Sequence, residues 1–206
     1  MLTIWGRPNS INVQKVLWCA EELGLITKRI EAGGQFGALN DPEYKAMNPN
    51  KLVPTINDSG FDLWESNVIV RYLSQKYGSD TLCPLGSISR FDGERWMDWQ
   101  ATTLWPALRP LFIGLIRTAP EKRDPKAMAA AEARCAEQMA VLDARLSDRP
   151  FVGGDGFTMA DIPVGVSAYR WYSLAVAHPK LPNLERWHRS LTERPAFRKE
   201  VMLPLS

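Results

Sequence analysis

Two short strand-like segments with a helical pattern between them open the chain. Residues 2–5 alternate in polarity as a strand does, and the turn-forming segment 6–10 interrupts that pattern. Apolar residues then recur at helical spacing, and Gly24 is placed to end the helix in a left-handed conformation. This spacing is carried by Val13, Val16, Leu17, Ala20 and Leu23. Residues 26–30 predict a second strand, so the opening segment predicts a parallel strand pair with a right-handed crossover.

A second group of elements follows a glycine-rich loop. A short helix is predicted at 43–47, and strands at 53–56 and 61–64 flank the turn sequence Asp58-Ser59-Gly60. Two strands joined by such a turn form an antiparallel hairpin. A further helix opens at Glu65-Ser66. One face of that helix carries Ile69, Tyr72 and Leu73. The order of elements therefore predicts an α/β domain of the form βαβ-αββα.

Beyond residue 88 the strand pattern disappears and long helices are predicted. The prolines expected to separate these helices are Pro106, Pro120, Pro125, Pro150 and Pro182. Asp124-Pro125 has the form of a helix start, with the acid as N-cap and proline at the first helical position. We therefore predict an α/β domain at 1–78, a linker at 79–88 and an all-helical domain at 89–206.

Composition excludes several classes of partner and site. The 25 basic and 23 acidic residues give a net charge of +2 with no long run of either sign, which argues against nucleic acid. No long apolar span and no leader pattern occurs, so we expect a cytoplasmic protein with no membrane contact. Three cysteines without a Cys-x-x-Cys spacing, and two histidines late in the chain, supply neither a disulfide framework nor a metal site.

Four separate segments carry motifs that occur together in one enzyme family. They are Gly6 to Val16, Asn48 to Pro54, Glu65-Ser66 and Phe157 to Ile162. In this order they resemble the active-site loop, the cis-proline loop, the γ-glutamyl-binding pair and the core-helix capping box of the cytosolic glutathione S-transferases. The chain is most similar to the bacterial, serine-type, theta- and phi-like members. That resemblance implies a thioredoxin-like domain followed by a C-terminal helical bundle, with glutathione as co-substrate and no tightly bound cofactor.

The first motif places Ser10 at the position of the family's catalytic serine. A thiol near pKa 8.5 is mostly protonated at neutral pH, whereas the thiolate is the nucleophile. A hydroxyl at a helix N-terminus can donate to the sulfur, and the helix dipole favours the anion. Asn12 is the second candidate, because its amide can also donate. The other reading of Ser10 is a simple helix cap.

The second and third motifs predict where glutathione binds. A cis Val53–Pro54 peptide would present the backbone of Val53 to an extended peptide ligand, which would pair like an added strand. Glu65 and Ser66 would bind the ammonium and carboxylate of the γ-glutamyl end. Lys51 and Leu52 differ from the residues common in relatives, so recognition of the glycyl carboxylate stays open, with Lys51 as one source of positive charge.

The helical domain is expected to supply the pocket for the second substrate. Trp105, Arg109 and Phe112 recur at spacings of four and three residues and share a helix face. They are the candidates to receive a small hydrophobic electrophile. Trp96 and Trp99, on the same predicted helix, favour core packing instead.

The resemblance predicts an enzyme that adds the glutathione thiolate to an electrophile. Glutathione-dependent peroxide reduction uses the same thiolate and is an alternative within enzymes. A non-catalytic binding or interaction module is the alternative from another class, although a scaffold has no physical need for Ser10, Glu65 and Ser66 together. The resemblance to a family of dimers also implies a homodimer.

Overall fold

A four-stranded sheet forms the centre of the N-terminal half of the chain, in a computed structural model that describes residues 1–206. The strands are β1 (Leu2–Trp5), β2 (Thr27–Ile30), β3 (Thr55–Asp58) and β4 (Phe61–Trp64). Their order is β2-β1-β3-β4. β1 pairs with β2 in parallel, and β3 pairs with both β1 and β4 antiparallel. The predicted parallel pair and hairpin are therefore confirmed.

Three helices cover this sheet: α1 (Ile11–Glu22), α2 (Pro42–Met47) and α3 (Ser66–Tyr77). Gly24 follows α1 with φ +63°, as its predicted role at the helix end requires. The third strand begins at Thr55 and not at Val53 as predicted, because Pro54 has no N–H to donate to a ladder.

Six α-helices form the remainder of the chain. They are α4 (Ser87–Trp99), α5 (Trp105–Phe112), α6 (Pro125–Arg145), α7 (Asp161–Tyr172), α8 (Pro182–Thr192) and α9 (Pro195–Glu200). The Asp124 carboxylate accepts hydrogen bonds from the amides of Lys126 and Ala127, which confirms the predicted cap of α6. No helix is both long and apolar enough to cross a membrane. The segment without helix or strand between the halves runs from the end of α3 to Ser87, while the domain limits at 78 and 89 stay a prediction.

Of the two predictions for this segment, the break at Pro106 is wrong, and the single helix that carries Trp96 to Phe112 is confirmed. The chain stays helical from Ser87 to Arg117, because π-helical segments at Gln100–Leu104 and Ile113–Arg117 join α4 to α5 and extend α5. Proline removes the hydrogen bond that its N–H would donate one turn back, and a π turn just before it shifts the bonding pattern. The helix therefore continues through Pro106 and Pro110.

One apolar core runs through both halves. Forty buried residues form a single cluster that includes side chains from the sheet, from α1 and from the C-terminal helices. α1 contacts α3 on one side and α7 and α9 on the other. Trp18, in the middle of α1, is fully buried and lies edge-on to Phe197 of α9 with ring centroids 4.8 Å apart. α1 is thus the element through which the two halves meet.

Candidate active site

The start of α1 presents two polar side chains that are not used to hold the fold. Ser10 precedes the helix in an extended conformation (φ −79°, ψ 126°), and its hydroxyl makes no capping hydrogen bond. Ser10 thus occupies the N-cap position of α1, but its side chain does not cap the helix. Asn12 is half-buried, and its side chain likewise forms no hydrogen bond within the chain. Both groups are free to donate to a ligand at the positive end of the helix dipole.

The loop before β3 has the cis peptide bond that the sequence predicts between Val53 and Pro54. The Asn48 amide fixes this loop by donating to the Leu52 carbonyl oxygen (2.9 Å) and to the Thr55 hydroxyl (3.0 Å). The Tyr44 hydroxyl also donates to the Leu52 carbonyl (2.6 Å). Meanwhile the N–H and C=O of Val53 have no backbone partner. A fixed loop with an unpaired peptide group can accept an extended ligand as an additional strand.

Glu65 and Ser66 stand at the start of α3, where the backbone is strained. Glu65 has φ +71° and ψ 105°, a conformation that residues other than glycine rarely adopt. Such strain is concentrated at functional sites. The Glu65 side chain is exposed, whereas Ser66 is buried and its hydroxyl lies 3.4 Å from the Lys15 ammonium.

Lys15 is a buried cation directly behind this helix start. It is 3% exposed and donates to the Gln100 side-chain carbonyl at 2.9 Å, in addition to its contact with Ser66. Burial lowers the pKa of Lys15 to about 7, while the charge of Glu65 acts in the opposite direction. Lys15 makes no salt bridge, so no acidic side chain neutralises its charge. Its protonated form, present at neutral and lower pH, therefore adds positive charge next to the starts of α1 and α3.

These groups meet in a depression that we call the sheet-side cleft, between the start of α1, the cis-proline loop and the start of α3. The predicted residues that line it are Asn12, Leu52, Val53, Pro54, Glu65 and Ser66. Lys51 is exposed, has φ +54° and does not line the cleft. The cleft combines an unpaired peptide group with a carboxylate and a helix N-terminus. It suits an extended peptide with both an ammonium and a carboxylate at one end.

A second depression, the helix-side cleft, adjoins the first. Ser10 lines it together with Trp105, Arg109 and Phe112, so the structure brings the predicted catalytic serine and all three predicted pocket residues together. The rings of Trp105 and Phe112 are 6.2 Å apart. Trp105 is the only residue that lines both clefts. Trp96 and Trp99 pair edge to face 5.1 Å apart and pack against the core, as expected.

Sequence reasoning missed several residues that line these clefts. The sequence contained a signal for Lys15, because this lysine is a charged residue between the apolar positions Val13 and Val16 of α1. Other missed residues include Asn48, Asn50 and Trp64 in the sheet-side cleft, and Arg7, Arg117 and Arg170 in the helix-side cleft. Arg117 and Arg170 come from distant helices, so no spacing in the sequence indicates that they meet.

Two family models match the chain. The model of the glutathione S-transferase N-terminal domain covers residues 1–75, and that of the glutathione S-transferase C-terminal domain covers residues 101–195.

Individual relatives agree with the family models over the full chain. Glutathione S-transferase GstB of Escherichia coli (strain K12) is 45% identical over 208 residues, which is 100% of both chains. Glutathione S-transferase 3 of Zea mays is 31% identical over 97% of this chain and 93% of its own. The crystal structure of the theta class glutathione S-transferase from Xanthomonas axonopodis pv. citri, with glutathione bound, superposes with a TM-score of 0.95 at 45% identity. That match covers 100% of this chain and 99% of the other.

Proposed function

The chain belongs to the glutathione S-transferase family, and we propose that it conjugates glutathione to small electrophiles through a thiolate held at the start of α1. Its enzyme class is that of its full-length relatives, a transferase that uses glutathione. The observation that carries the proposed mechanism is the free hydroxyl of Ser10, which faces the helix-side cleft without a partner of its own. A hydroxyl in that position can donate to sulfur and favour the anion.

The sheet-side cleft supplies the binding groups for the tripeptide. Glu65 would accept from the γ-glutamyl ammonium, while the Ser66 hydroxyl and the free N–H groups of α3 bind its carboxylate. The Val53 peptide group would pair with the ligand backbone beside Pro54 and Leu52. Lys51, exposed at the edge of the loop, is the candidate counter-ion of the glycyl carboxylate. The sulfur would then lie between Asn12 and Ser10, next to Trp105.

Turnover of 1-chloro-2,4-dinitrobenzene with glutathione tests the proposed activity. The thiolate attacks the ring carbon that bears chlorine, chloride leaves, and the thiol proton passes to solvent. We expect saturable turnover above the uncatalysed rate. Retention on immobilised glutathione without turnover of this or other electrophiles would instead indicate a binding module. Faster reduction of an organic hydroperoxide than conjugation of any electrophile would favour a peroxidase.

Glu65→Ala and Ser66→Ala are each expected to weaken glutathione binding by about tenfold, because each removes a charge-assisted contact at the γ-glutamyl end. Isothermal titration calorimetry measures the affinity. Glu43→Ala, an exposed acid on α2 that lies outside both clefts, is the matched control. Unchanged affinity in both cleft variants would remove the two residues from the site. Catalysis is also expected to fall, since remote contacts help to position the sulfur.

We also propose a cytoplasmic homodimer. Large exposed apolar side chains are concentrated on β4, α3 and α4, and on a monomer they would remain in water. They are Phe61, Trp64, Val68, Tyr77, Ile88 and Phe91. Light scattering is expected to give twice the 23.2 kDa of one chain.

A charge placed at the interface tests this arrangement. Phe91 is 65% exposed on α4, and Phe91→Glu is expected to shift the protein toward the monomer. Val141→Glu, at a 46% exposed apolar position on α6, should leave the mass unchanged. A wild-type mass near that of one chain contradicts the dimer.

A further inference from the structure

Four arginines surround the helix-side cleft, and no acidic side chain neutralises them. Arg7, Arg109, Arg117 and Arg170 all line the cleft. None of them forms a salt bridge, although twelve ion pairs occur elsewhere in the chain. A cluster of like charges that no acidic side chain neutralises raises the free energy of the folded chain. The cluster is therefore poorly explained by stability alone.

Arg170 is the most unusual member, because it is only 2% exposed. Its guanidinium donates to two neutral acceptors, the Asn9 carbonyl (2.8 Å) and the Gln14 side-chain oxygen (3.1 Å), and its Nε–H is buried without a partner. Burial, together with the charges of Arg117 and Arg7, lowers the pKa of Arg170 to about 10. It stays charged at neutral pH, so the cleft is lined by a buried cation whose Nε–H has no partner.

The other arginines extend this positive surface toward solvent. The Nε–H of Arg7 is also buried without a partner, and burial followed by the charge of Arg117 lowers the pKa of Arg7. Arg117 is exposed and donates to the Ser206 carbonyl at 2.9 Å. The guanidinium carbons of Arg117 and Arg170 lie 5.2 and 4.6 Å from the centre of the Phe112 ring. Both guanidinium groups therefore contact the Phe112 ring through cation–π interactions. Such contacts use no N–H donor, so the donors of Arg117 and Arg170 that make no hydrogen bond within the chain can bind a ligand.

We propose that the helix-side cleft is specific for electrophiles that carry a carboxylate, with Arg170, Arg7 and Arg117 binding the anion while the reactive carbon faces the sulfur at Ser10. Trp105 and Phe112 would contact the apolar body of the substrate. Guanidinium groups bind carboxylates through paired hydrogen bonds, which fixes the orientation of a planar substrate. This inference rests on the proposed transferase function and narrows its substrate class from hydrophobic to anionic electrophiles.

Glutathione itself carries carboxylates, but its expected site lies elsewhere. Val53, Glu65 and Ser66 line the sheet-side cleft, and none of them lines the helix-side cleft. We therefore assign the carboxylate that would bind these arginines to the second substrate, the electrophile. In the reaction the C–S bond forms as the carbon–halogen bond breaks, the halide leaves with the electron pair, and the carboxylate stays unchanged.

Two substrates of nearly the same shape but different charge test whether the charge of the substrate raises kcat/KM. 4-Chloro-3,5-dinitrobenzoate and its carboxamide share the ring, the nitro groups and the leaving chloride, and they differ in one charged group. With each rate divided by its uncatalysed rate, kcat/KM is expected to be at least about tenfold higher for the carboxylate. Arg7→Gln and Arg117→Gln should each lower the carboxylate-to-amide ratio at least about tenfold. Arg170 is left in place, because its replacement also removes hydrogen bonds to Asn9 and Gln14.

Arg134→Gln is the control, since Arg134 is exposed on α6, makes no salt bridge and lies outside both clefts. It should leave both rates unchanged. A wild-type ratio near one, or a ratio that survives both cleft substitutions, overturns the inference while amide turnover still supports the transferase. A raised KM for glutathione with an unaltered ratio would assign the arginines to glutathione. Absence of turnover with both probes and with 1-chloro-2,4-dinitrobenzene would overturn the proposed function and this inference together.

Discussion

Replacement of Ser10 by alanine is expected to lower the rate of conjugation at least about tenfold at pH 7 and to raise the apparent pKa of the bound glutathione thiol. The free thiol has a pKa near 8.5, and a charge-assisted hydrogen bond of about 1.5–3 kcal/mol lowers it by roughly one to two units. Ser10 is placed for this role by its unbonded hydroxyl and by the α1 dipole. The measurement is kcat/KM for 1-chloro-2,4-dinitrobenzene as a function of pH.

The pH dependence identifies the cause of the loss. A higher thiol pKa reduces the thiolate fraction most at low pH, so the deficit of Ser10→Ala should shrink as the pH rises past the new pKa. Ser10→Thr keeps a hydroxyl and should retain much of the activity. If activity survives Ser10→Ala but collapses in Asn12→Ala, the thiolate donor is Asn12, whose free amide lines the sheet-side cleft. A deficit that is equal at all pH values argues against thiolate stabilisation by either residue.

Replacement of Asp161 by alanine is expected to lower the free energy of unfolding by at least about 3 kcal/mol, because several buried donors lose their acceptor together. The Asp161 carboxylate accepts from the amides of Val152 (2.8 Å) and Thr158 (3.0 Å) and from the Trp187 indole N–H (2.9 Å). The side chain is fully buried. Removal of this carboxylate should therefore lower the free energy of unfolding by more than the roughly 1 kcal/mol that loss of an ordinary helix cap costs.

Urea unfolding at one fixed protein concentration measures this difference. Asp124→Ala is the matched control, since Asp124 caps α6 at an exposed position and its loss should cost about 1 kcal/mol. Asp161→Asn keeps an acceptor oxygen and should fall between the two. Equal destabilisation by the Asp161 and Asp124 alanine variants would show that the buried network contributes no more than a cap.

Features that depend on a few adjacent residues could be predicted from the sequence. The strands at 2–5 and 61–64, the left-handed Gly24 and the Asp124 cap all follow from local chemistry, whereas the cis peptide before Pro54 was expected from the family resemblance. Turn geometry, cap hydrogen bonds and alternation of polarity each depend on a few neighbouring residues, so the local sequence is enough to predict them. The order of these elements predicted the parallel pair of β1 with β2 and the hairpin of β3 with β4, but not the antiparallel pairing of β1 with β3.

Features that depend on distant segments could not be predicted. Pro106 was expected to end a helix, but packing of the surrounding helix into the core holds the chain helical through a π segment. Arg7, Arg117 and Arg170 come from a loop and two separate helices, and only the folded chain brings them to one cleft. The positive charge of the helix-side cleft is for this reason a property of tertiary structure, and Trp105, Arg109 and Phe112 by themselves led to the prediction of a hydrophobic ligand.

The packing of α1 against α7 and α9 limits how freely one half of the chain can be exchanged for the same half of a relative. Trp18 of α1 inserts against Phe197, and a Cβ added to Gly165 of α7 would lie 3.0 Å from the Trp18 ring. A chimera that joins one half of this chain to the complementary half of a relative must therefore match these surfaces on both sides. A poor match would tilt α1 and displace Ser10 at its start, so the proposed thiolate site would lose its alignment before the chain fails to fold. The packing of Trp18 against Phe197 and Gly165 thus sets the position of the proposed thiolate site, although none of these three residues lines either cleft.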